Sequence, residues 1–555
     1  MILGLDVGGT QTDAVLIDEN GVLIETKTPT GENLLETLRV ALEKTISDVD
    51  PRQIDRMAFS TTLATNAIVQ NNLEKAGMIV SAGPGMDPSW FAVGPSYHTV
   101  EGCIDHQGFD ATPLSERSVR DAARRIWNSG IKFLGVVTKF SVRNPIHETQ
   151  ISDWIGDDFS YVALGHRVSG ILNFPRRIAT TYLNAALYDV HLKFSNALTH
   201  ILNERDLEAP RFLLKPDGGT MALENCSDLP ARTAQSGPAA SVMGALALDG
   251  CKGTTLVIDI GGTTTDMSVV LNGVPLRAPY GIRLGSFRTL IRSLLTRSIG
   301  LGGDSEVRVG NDGAIKIGPE RRGKPVALGG AVPTPTDAMV ALGLLDTGSR
   351  DAAKAIMENL GIRLGLDGRA TAKYILEHVA KVISDAARSF IDYINSRPVY
   401  TIHEVLREQK IEPGAVVIIG GPANQIGRFV GKAMGLPYRV PPHFGVANAV
   451  GAAVARVTSE ITLQADTERG TVIIPEANFQ KSIDGRFSTD DALTLGRGVL
   501  RQKALQSGAD PETLEMFITH RQTFNMIRGF SRTGQNIRLD MCIAPGLIPG
   551  WRRSP

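Results

Sequence analysis

The sequence predicts an α/β protein of two duplicated domains that face each other across a cleft, followed by a small α+β C-terminal region. Three observations predict it. The run Leu5-Asp6-Val7-Gly8-Gly9-Thr10-Gln11-Thr12-Asp13 returns as Ile258-Asp259-Ile260-Gly261-Gly262-Thr263-Thr264-Thr265-Asp266, and six of the eight positions from each leading aspartate are identical. Each copy lies between two β-type runs, Ile2 to Leu5 and Ala14 to Ile17 in the first, Thr255 to Ile258 and Met267 to Leu271 in the second, so each reads as strand, turn and returning strand. The chain's 555 residues exceed several-fold the ~100–200 of one domain, and 42% are apolar, enough for more than one core.

Taken in order, residues 1–250 form the first domain, and Glu19-Asn20-Gly21 turns its hairpin into a third strand. Helical spacing follows over Thr180–Leu202 and over Ser236–Leu248, the second rich in small residues and leading into the next domain. Residues 251–457 form the second domain, with its own hairpin, a turn at Asn272-Gly273, an insert near 305–335 rich in Gly, Pro and charge, and helices over 335–346, 350–361 and 369–396. Ile375, Val379, Val382, Ile383, Ala386 and Phe390 recur at helical spacing and mark a core face. Val416 to Ile419 reads as a buried strand ending in Gly420-Gly421-Pro422, with a helix over Gln425–Met434. Gly445 to Ala453 is a second small-residue helix, and two such helices can cross closely and slide, as a hinge requires. From residue 458 the chain reads as a separate α+β region, with a strand at Thr471–Ile474 and a helix at Ala492–Ser507. Arg528, Phe530 and Arg532 form a small basic–aromatic patch there, read as a packing or subunit surface.

The repeated turn points to a polyphosphate. Paired glycines allow positive φ and remove the Cβ, so successive backbone N–H groups can face one anion: Gly8 and Gly9 in one copy, Gly261 and Gly262 in the other. Thr10, Gln11, Thr12, Thr263 and Thr264 add side-chain donors. Asp6 and Asp259, at the strand ends, are the candidate catalytic and Mg2+-holding residues, because Mg2+ takes one or two carboxylates and keeps its waters. The glycine pair at Gly420-Gly421 would let the flat face of a base or ribose lie on backbone. The densest polar cluster, His98, Glu101, Cys103, Asp105 and His106, fits a substrate loop, a surface loop or a metal site, and its spacing does not choose among them.

Composition excludes several classes. Lys+Arg and Asp+Glu both number 58, so no global basic field draws the chain to nucleic acid or an anionic membrane. Four scattered cysteines, with no Cys-x-x-Cys, argue against a disulfide scaffold or zinc ribbon and suit a cytoplasmic protein. No signal peptide is read at Met1, and no apolar run approaches the ~20 residues of a membrane span.

The order hairpin, small-residue helix, hairpin, Gly-Gly turn, small-residue helix resembles the ATPase superfamily of actin, sugar kinases and 70-kDa heat-shock chaperones. That resemblance implies two ribonuclease-H-like domains, an actin-like ATPase fold, with ATP in the cleft. It matches Asp6 and Asp259 to the Mg2+-organising aspartates, Gly420, Gly421 and Pro422 to the adenosine loop, and Gly302-Gly303-Asp304 to a Gly-Gly-acid element after the second hairpin. A closer likeness is to the hydantoinase A/oxoprolinase family. It is carried by Asp6 to Ile17, Ser60 to Ala67, Asn144-Pro145-Ile146-His147-Glu148, the stretch at His166 to Ser169, Asp217-Gly218-Gly219, Ser236 to Ala240 and Asp259 to Asp266. The chain departs from the family's usual form at Gln11, at Ser96 to Gly108, at Asp304, and at Glu320-Arg321-Arg322-Gly323.

The resemblance implies an ATP-dependent hydrolase that opens a cyclic amide or imide, hydantoin- or 5-oxoproline-like, through a phosphorylated intermediate. ATP and Mg2+ are the implied cofactors, and Asn66, His98 and His166 are the weaker candidates for substrate contact. The same cleft would serve an ATP-dependent ketone carboxylase subunit or a small-molecule kinase, and a nucleotide-gated binding protein is the reading from a different class. The implied partner is a small-molecule substrate. A second, B-type subunit and a homo-oligomer stay open.

Overall fold

The computed structural model describes residues 1–31, 33–278, 280–310, 313–396 and 410–551. The Arg528 side chain lies outside what is described.

Two six-stranded sheets grow around the two copies of the repeat. In the first, Ile2–Val7 pairs antiparallel with Gln11–Asp18 and parallel with Arg56–Thr61, which pairs parallel with Arg211–Leu214. In the second, Thr254–Ile260 pairs antiparallel with Thr265–Leu271 and parallel with Ala415–Ile419, which pairs parallel with Tyr438–Arg439. The registers coincide: Asp6 lies opposite Asp13, and Asp259 opposite Asp266. The central strands are buried on both faces, which explains their continuous Val/Ile/Leu runs. The third strand differs between the copies. Gly21–Pro29 is continuous, whereas its counterpart stops after Val274–Pro275, and Thr296–Ile299 completes that edge. Pro275 has no N–H for a longer ladder.

A four-stranded parallel sheet, ordered Tyr161–Leu164, Phe133–Thr138, Ala76–Ser81, Ser96–Thr99, is inserted into the first half. The helix Phe174–Asn203 packs on it and begins earlier than Thr180 because Pro175 sits in its first turn, where the missing N–H costs nothing and Asn173 caps Arg176. In the second half, the helices Pro335–Ala341, Arg350–Leu364, Gly368–Asn395 and Ala423–Met434 cover the sheet. Ile375, Val379, Ile383 and Phe390 are buried in that core, with Val382 and Ala386 packed at its edge.

The small-residue helices Ser236–Leu248 and Ala447–Val454 cross almost backbone to backbone. A Cβ on Gly244 would stand 2.0 Å from the Ala447 carbonyl oxygen, and one on Gly451 would stand 2.2 Å from that of Ala240. The C-terminal region is a five-stranded antiparallel sheet, ordered Phe479–Ser482, Thr471–Ile474, Ser459–Asp466, Ser531–Ile543, Met516–Arg528. The helix Thr489–Gln506 packs against it, opened by a capping box between Ser488 and Asp491. Among the described residues, no helix is long and apolar enough to cross a membrane.

Candidate functional site

Both central strands are apolar until they reach their aspartates. Asp6 and Asp259 are therefore carried into the interior, at 7% and 8% exposure. Two polar side chains from the crossing helices meet them there. Ser241 Oγ donates to Asp259 Oδ2 at 2.6 Å, and Asn448 Nδ2 donates to the same oxygen at 3.4 Å. The Asn448 amide also bears on Asp6, where it opposes the rise in the carboxyl's pKa.

The electrostatics follow from burial and like charge. Burial pushes the Asp6 carboxyl up to about 7; Asp13 and Asp259 add to the rise, while Ser60 and Asn448 oppose it. Asp259 is raised by burial against the pull of Ser241 and Asn448. Asp266 is pushed up to about 7 by burial, with the Ser298 hydroxyl opposing and Asp259 adding. Asp13 is raised by burial, although Lys27 Nζ donates to it at 3.1 Å. Burial first, and like charge for Asp6, Asp13 and Asp266, thus raise the pKa of each of the four aspartates.

The two turns close alike. Gly8 N donates to Gln11 O at 3.0 Å, and Gly261 N to Thr264 O at 2.9 Å. Thr12 is buried with Oγ1 3.0 Å from Thr30 Oγ1, whereas Thr10 reaches outward. The Gly302–Asp304 loop lies on the second turn, with Gly303 N donating to Gly261 O at 3.0 Å and Asp304 N to Gly262 O at 2.7 Å. Gly420, at φ 92°, packs on the end of the aspartate strand: a Cβ there would stand 2.4 Å from Asp259 Oδ1. The Gly420–Pro422 turn and the second hairpin are therefore in direct contact. One side chain links the first hairpin to the second: Arg321 Nη1 donates to Thr10 Oγ1 at 2.8 Å, and Nη2 to Asp304 Oδ2 at 3.0 Å.

The weaker candidates fall in different places. Asn66 is exposed on the short helix Leu63–Val69, beside the end of the Asp6 strand, because Thr62 N donates to Val7 O at 3.2 Å. His98 stands on the edge strand of the other sheet, with Nε2 3.0 Å from Ser96 Oγ, and burial with nearby Arg125 lowers its pKa. His166 is buried, with Nδ1 2.7 Å from Glu148 Oε2. Burial works against the Glu148 carboxylate, but His166 and Arg177 outweigh it and hold its pKa below the ordinary value. Its other oxygen accepts from Thr138 N at 2.8 Å, so Glu148, in the first turn of the helix Ile146–Ile155, ties three elements together. The polar loop is organised by Asp105, which accepts from Gln107 N and Phe109 N at 2.9 and 2.8 Å. Among the described residues, no group of three or more His, Cys, Asp or Glu is placed to hold a metal ion.

Sequence reasoning passed over Asp13, Asp266, Ser241, Asn448 and Arg321. The two aspartates were visible in the repeat itself, since each closes an eight-residue match. Arg321 carried no motif.

Residues 2–158 match the family described as hydantoinase/oxoprolinase N-terminal region, and residues 177–461 match hydantoinase/oxoprolinase. The chain belongs to this family. Its relatives include the caprolactamase subunit alpha of Pseudomonas jessenii, 25% identical over 75% of this chain and 64% of that protein. The acetophenone carboxylase gamma subunit of Aromatoleum aromaticum is 26% identical over 69% of this chain and 60% of that protein. The matched stretch thus spans less than two thirds of either relative. The nucleotide-free structure of acetone carboxylase, an enzyme of ATP-dependent acetone carboxylation, superposes with a TM-score of 0.73 at 18% identity, covering 99% of this chain and 88% of that one. The hydantoinase/oxoprolinase chain described here therefore shares that protein's mixed α/β fold with parallel sheets.

Proposed function

We propose that this chain is an ATP-dependent enzyme that opens a cyclic amide or imide by first phosphorylating its carbonyl oxygen, in an actin-like cleft between two ribonuclease-H-like domains. The observation that carries this reading is the link between the two equivalent hairpins. Arg321 reaches from Thr10 to Asp304, whose loop lies on the second hairpin, and Asn448 holds Asp259 and bears on Asp6. Gly8 to Thr12 and Gly261 to Thr264 would hold the phosphates, with Gly302 to Asp304 beside them and Gly420 to Pro422 against the adenosine.

Asp6 Oδ1 is buried without a hydrogen-bond partner, as expected of an oxygen kept for a cation or its water. Asp6 and Asp259 would hold Mg2+, which when bound supplies charge neutralisation to the phosphates. The chain's own residues orient the reacting groups: Ser241 and Asn448 fix the aspartates, and the hairpin amides position the transferred group. Asn66 lies at the strand-end edge, where a substrate would approach. His98 would reach substrate only from the edge of the neighbouring sheet, and His166 would act only through buried Glu148. A second subunit is part of this reading, because the caprolactamase and acetophenone carboxylase relatives are named as subunits. A carboxylase subunit acting on a ketone is the second reading, favoured by the acetophenone carboxylase relative.

The test is incubation with ATP and Mg2+ against hydantoins, 5-oxoproline, caprolactam, and ketones with hydrogencarbonate. Ring opening with stoichiometric phosphate release supports the first reading, and carboxylated ketone the second. A stable phosphorylated product would replace both with a kinase. ATP turnover indifferent to every compound would leave a nucleotide-gated binding protein.

A further inference from the structure

A second polar cavity lies where the first sheet, the loop Leu290–Arg292 and the C-terminal region meet. Four cations line it, Lys215, Arg232, Arg292 and Lys503, against two carboxylates, Asp217 and Glu460. Both carboxylates are already engaged. Asp217 accepts from Lys215 Nζ at 3.1 Å, Thr458 Oγ1 at 2.8 Å and Gly219 N at 3.0 Å; Glu460 pairs with Arg292 at 3.0 Å. Burial works against the Asp217 carboxylate, but Lys215 and these donors outweigh it and hold its pKa low. The Asp217-Gly218-Gly219 motif thus builds a wall of this cavity.

Two cations are left over. Lys503 Nζ donates only to the Glu460 carbonyl, at 3.0 Å, and Arg232 donates to the Val168 carbonyl at 3.4 Å. Neither has a carboxylate partner among the described residues. Burial, then the nearby Arg232, push the Lys503 amine down to about 7; Glu476 and Glu460 act the other way from a distance, and Lys215 adds to the fall. Two half-buried cations that line one cavity without a carboxylate partner among the described residues are the complement of an anion. The cavity holds about 50 Å3, room for a small oxyanion head. An adjoining cavity of about 190 Å3 shares Asp217, Arg292, Ser459 and Glu460; Arg277 and Asp540 line it too, beside an apolar wall of Ala278, Ile461, Met541 and Ile543.

We propose that these joined cavities bind a small organic acid, its carboxylate between Lys503 and Arg232 and its short apolar tail in the larger space. The site is separate from the hairpins and stands whether or not the nucleotide reading holds.

Calorimetric titration of the full chain with acetate, butyrate, hydrogencarbonate and inorganic phosphate tests it. Butyrate is expected to bind saturably and about threefold or more tighter than acetate, because the tail is buried. Lys503→Met and Arg232→Met are each expected to weaken butyrate about tenfold or more, the usual loss for a charge-assisted hydrogen bond, with a cooperative thermal transition retained as the check on folding. Crystals of the unaltered protein soaked in butyrate supply a readout independent of the variants: difference density for its carboxylate between Lys503 and Arg232 is expected. The proposal is overturned by no saturable carboxylate binding, by binding of phosphate alone, by both folded variants binding butyrate undiminished, or by no carboxylate density in the cavity.

Discussion

Asp6 shows most directly how a repeat of strands becomes a site. A carboxyl at the end of a fully buried strand loses its water, and here two further carboxylates act on it, so it titrates near 7 instead of 3.8. A raised carboxyl pKa means that the folded protein holds a proton the unfolded chain gives up. The stability this contributes is fully present below the unfolded value and is lost as pH rises through about 7. In the absence of divalent cation, the unfolding free energy from urea melts is therefore expected to fall between pH 4 and pH 7. Asp6→Asn should flatten that fall and stabilise the protein at pH 8 by roughly 1–3 kcal/mol. A slope unchanged by the substitution would show that Asp6 is ionised throughout. The same variant is expected to lower ATP turnover by about a hundredfold or more, since it removes a carboxylate assigned to the cation. Added Mg2+ should stabilise the unaltered protein more than Asp6→Asn, measured as the shift in thermal midpoint. Gain of stability with loss of turnover is the signature of a group kept for function at the fold's expense.

At the scale of elements, the crossing of Ser236–Leu248 with Ala447–Val454 carries the geometry. Gly244 and Gly451 let the two backbones touch, and that contact brings Ser241 and Asn448 to the aspartates. Gly451→Val is expected to destabilise the protein by about 2–4 kcal/mol, because its side chain meets backbone that has nowhere to move. Nucleotide affinity should fall with it even at temperatures where the variant stays folded; a variant as stable as the parent would mean that the helices can part freely. Much of this level was legible beforehand. The hairpins, the core face from Ile375 to Phe390 and the small-residue helices follow from period and composition, which depend on local chemistry. The inserted parallel sheet was not foreseen, since its pairing joins segments far apart in sequence and period alone does not say which strands meet. The same limit hid part of the site: Asp13 and Asp266 lay in plain view, but only the register shows them opposite Asp6 and Asp259. His166, expected as a weaker candidate for substrate contact, is buried with its imidazole on Glu148, a pairing no local pattern announces.

For the whole molecule, the question is what couples the two copies of the repeat. The crossing helices hold Ser241 and Asn448 against Asp259. The outer link is Arg321, whose guanidinium is shared between Thr10 of the first hairpin and Asp304, whose loop lies on the second. Both partners belong to the proposed phosphate-binding loops, so an anion entering between the hairpins competes for the same guanidinium. A planar, permanently charged fork suits that exchange, since it can leave one carboxylate and engage phosphate oxygens with little reorganisation. Arg321→Ala is expected to reduce ATP turnover roughly tenfold to a hundredfold, through loss of charge stabilisation at the transferred group. Without nucleotide, it should also speed amide exchange in residues 8–12 and 302–304, where the cross-cleft link is lost. Arg322→Ala is the matched control. Arg322 pairs with Glu306 at 3.3 Å from a largely exposed position, and a surface pair of that kind contributes ~0–1 kcal/mol. If the two variants behave alike in turnover and exchange, Arg321 is only another surface charge, and the coupling of the two repeats must be sought in the crossing helices alone.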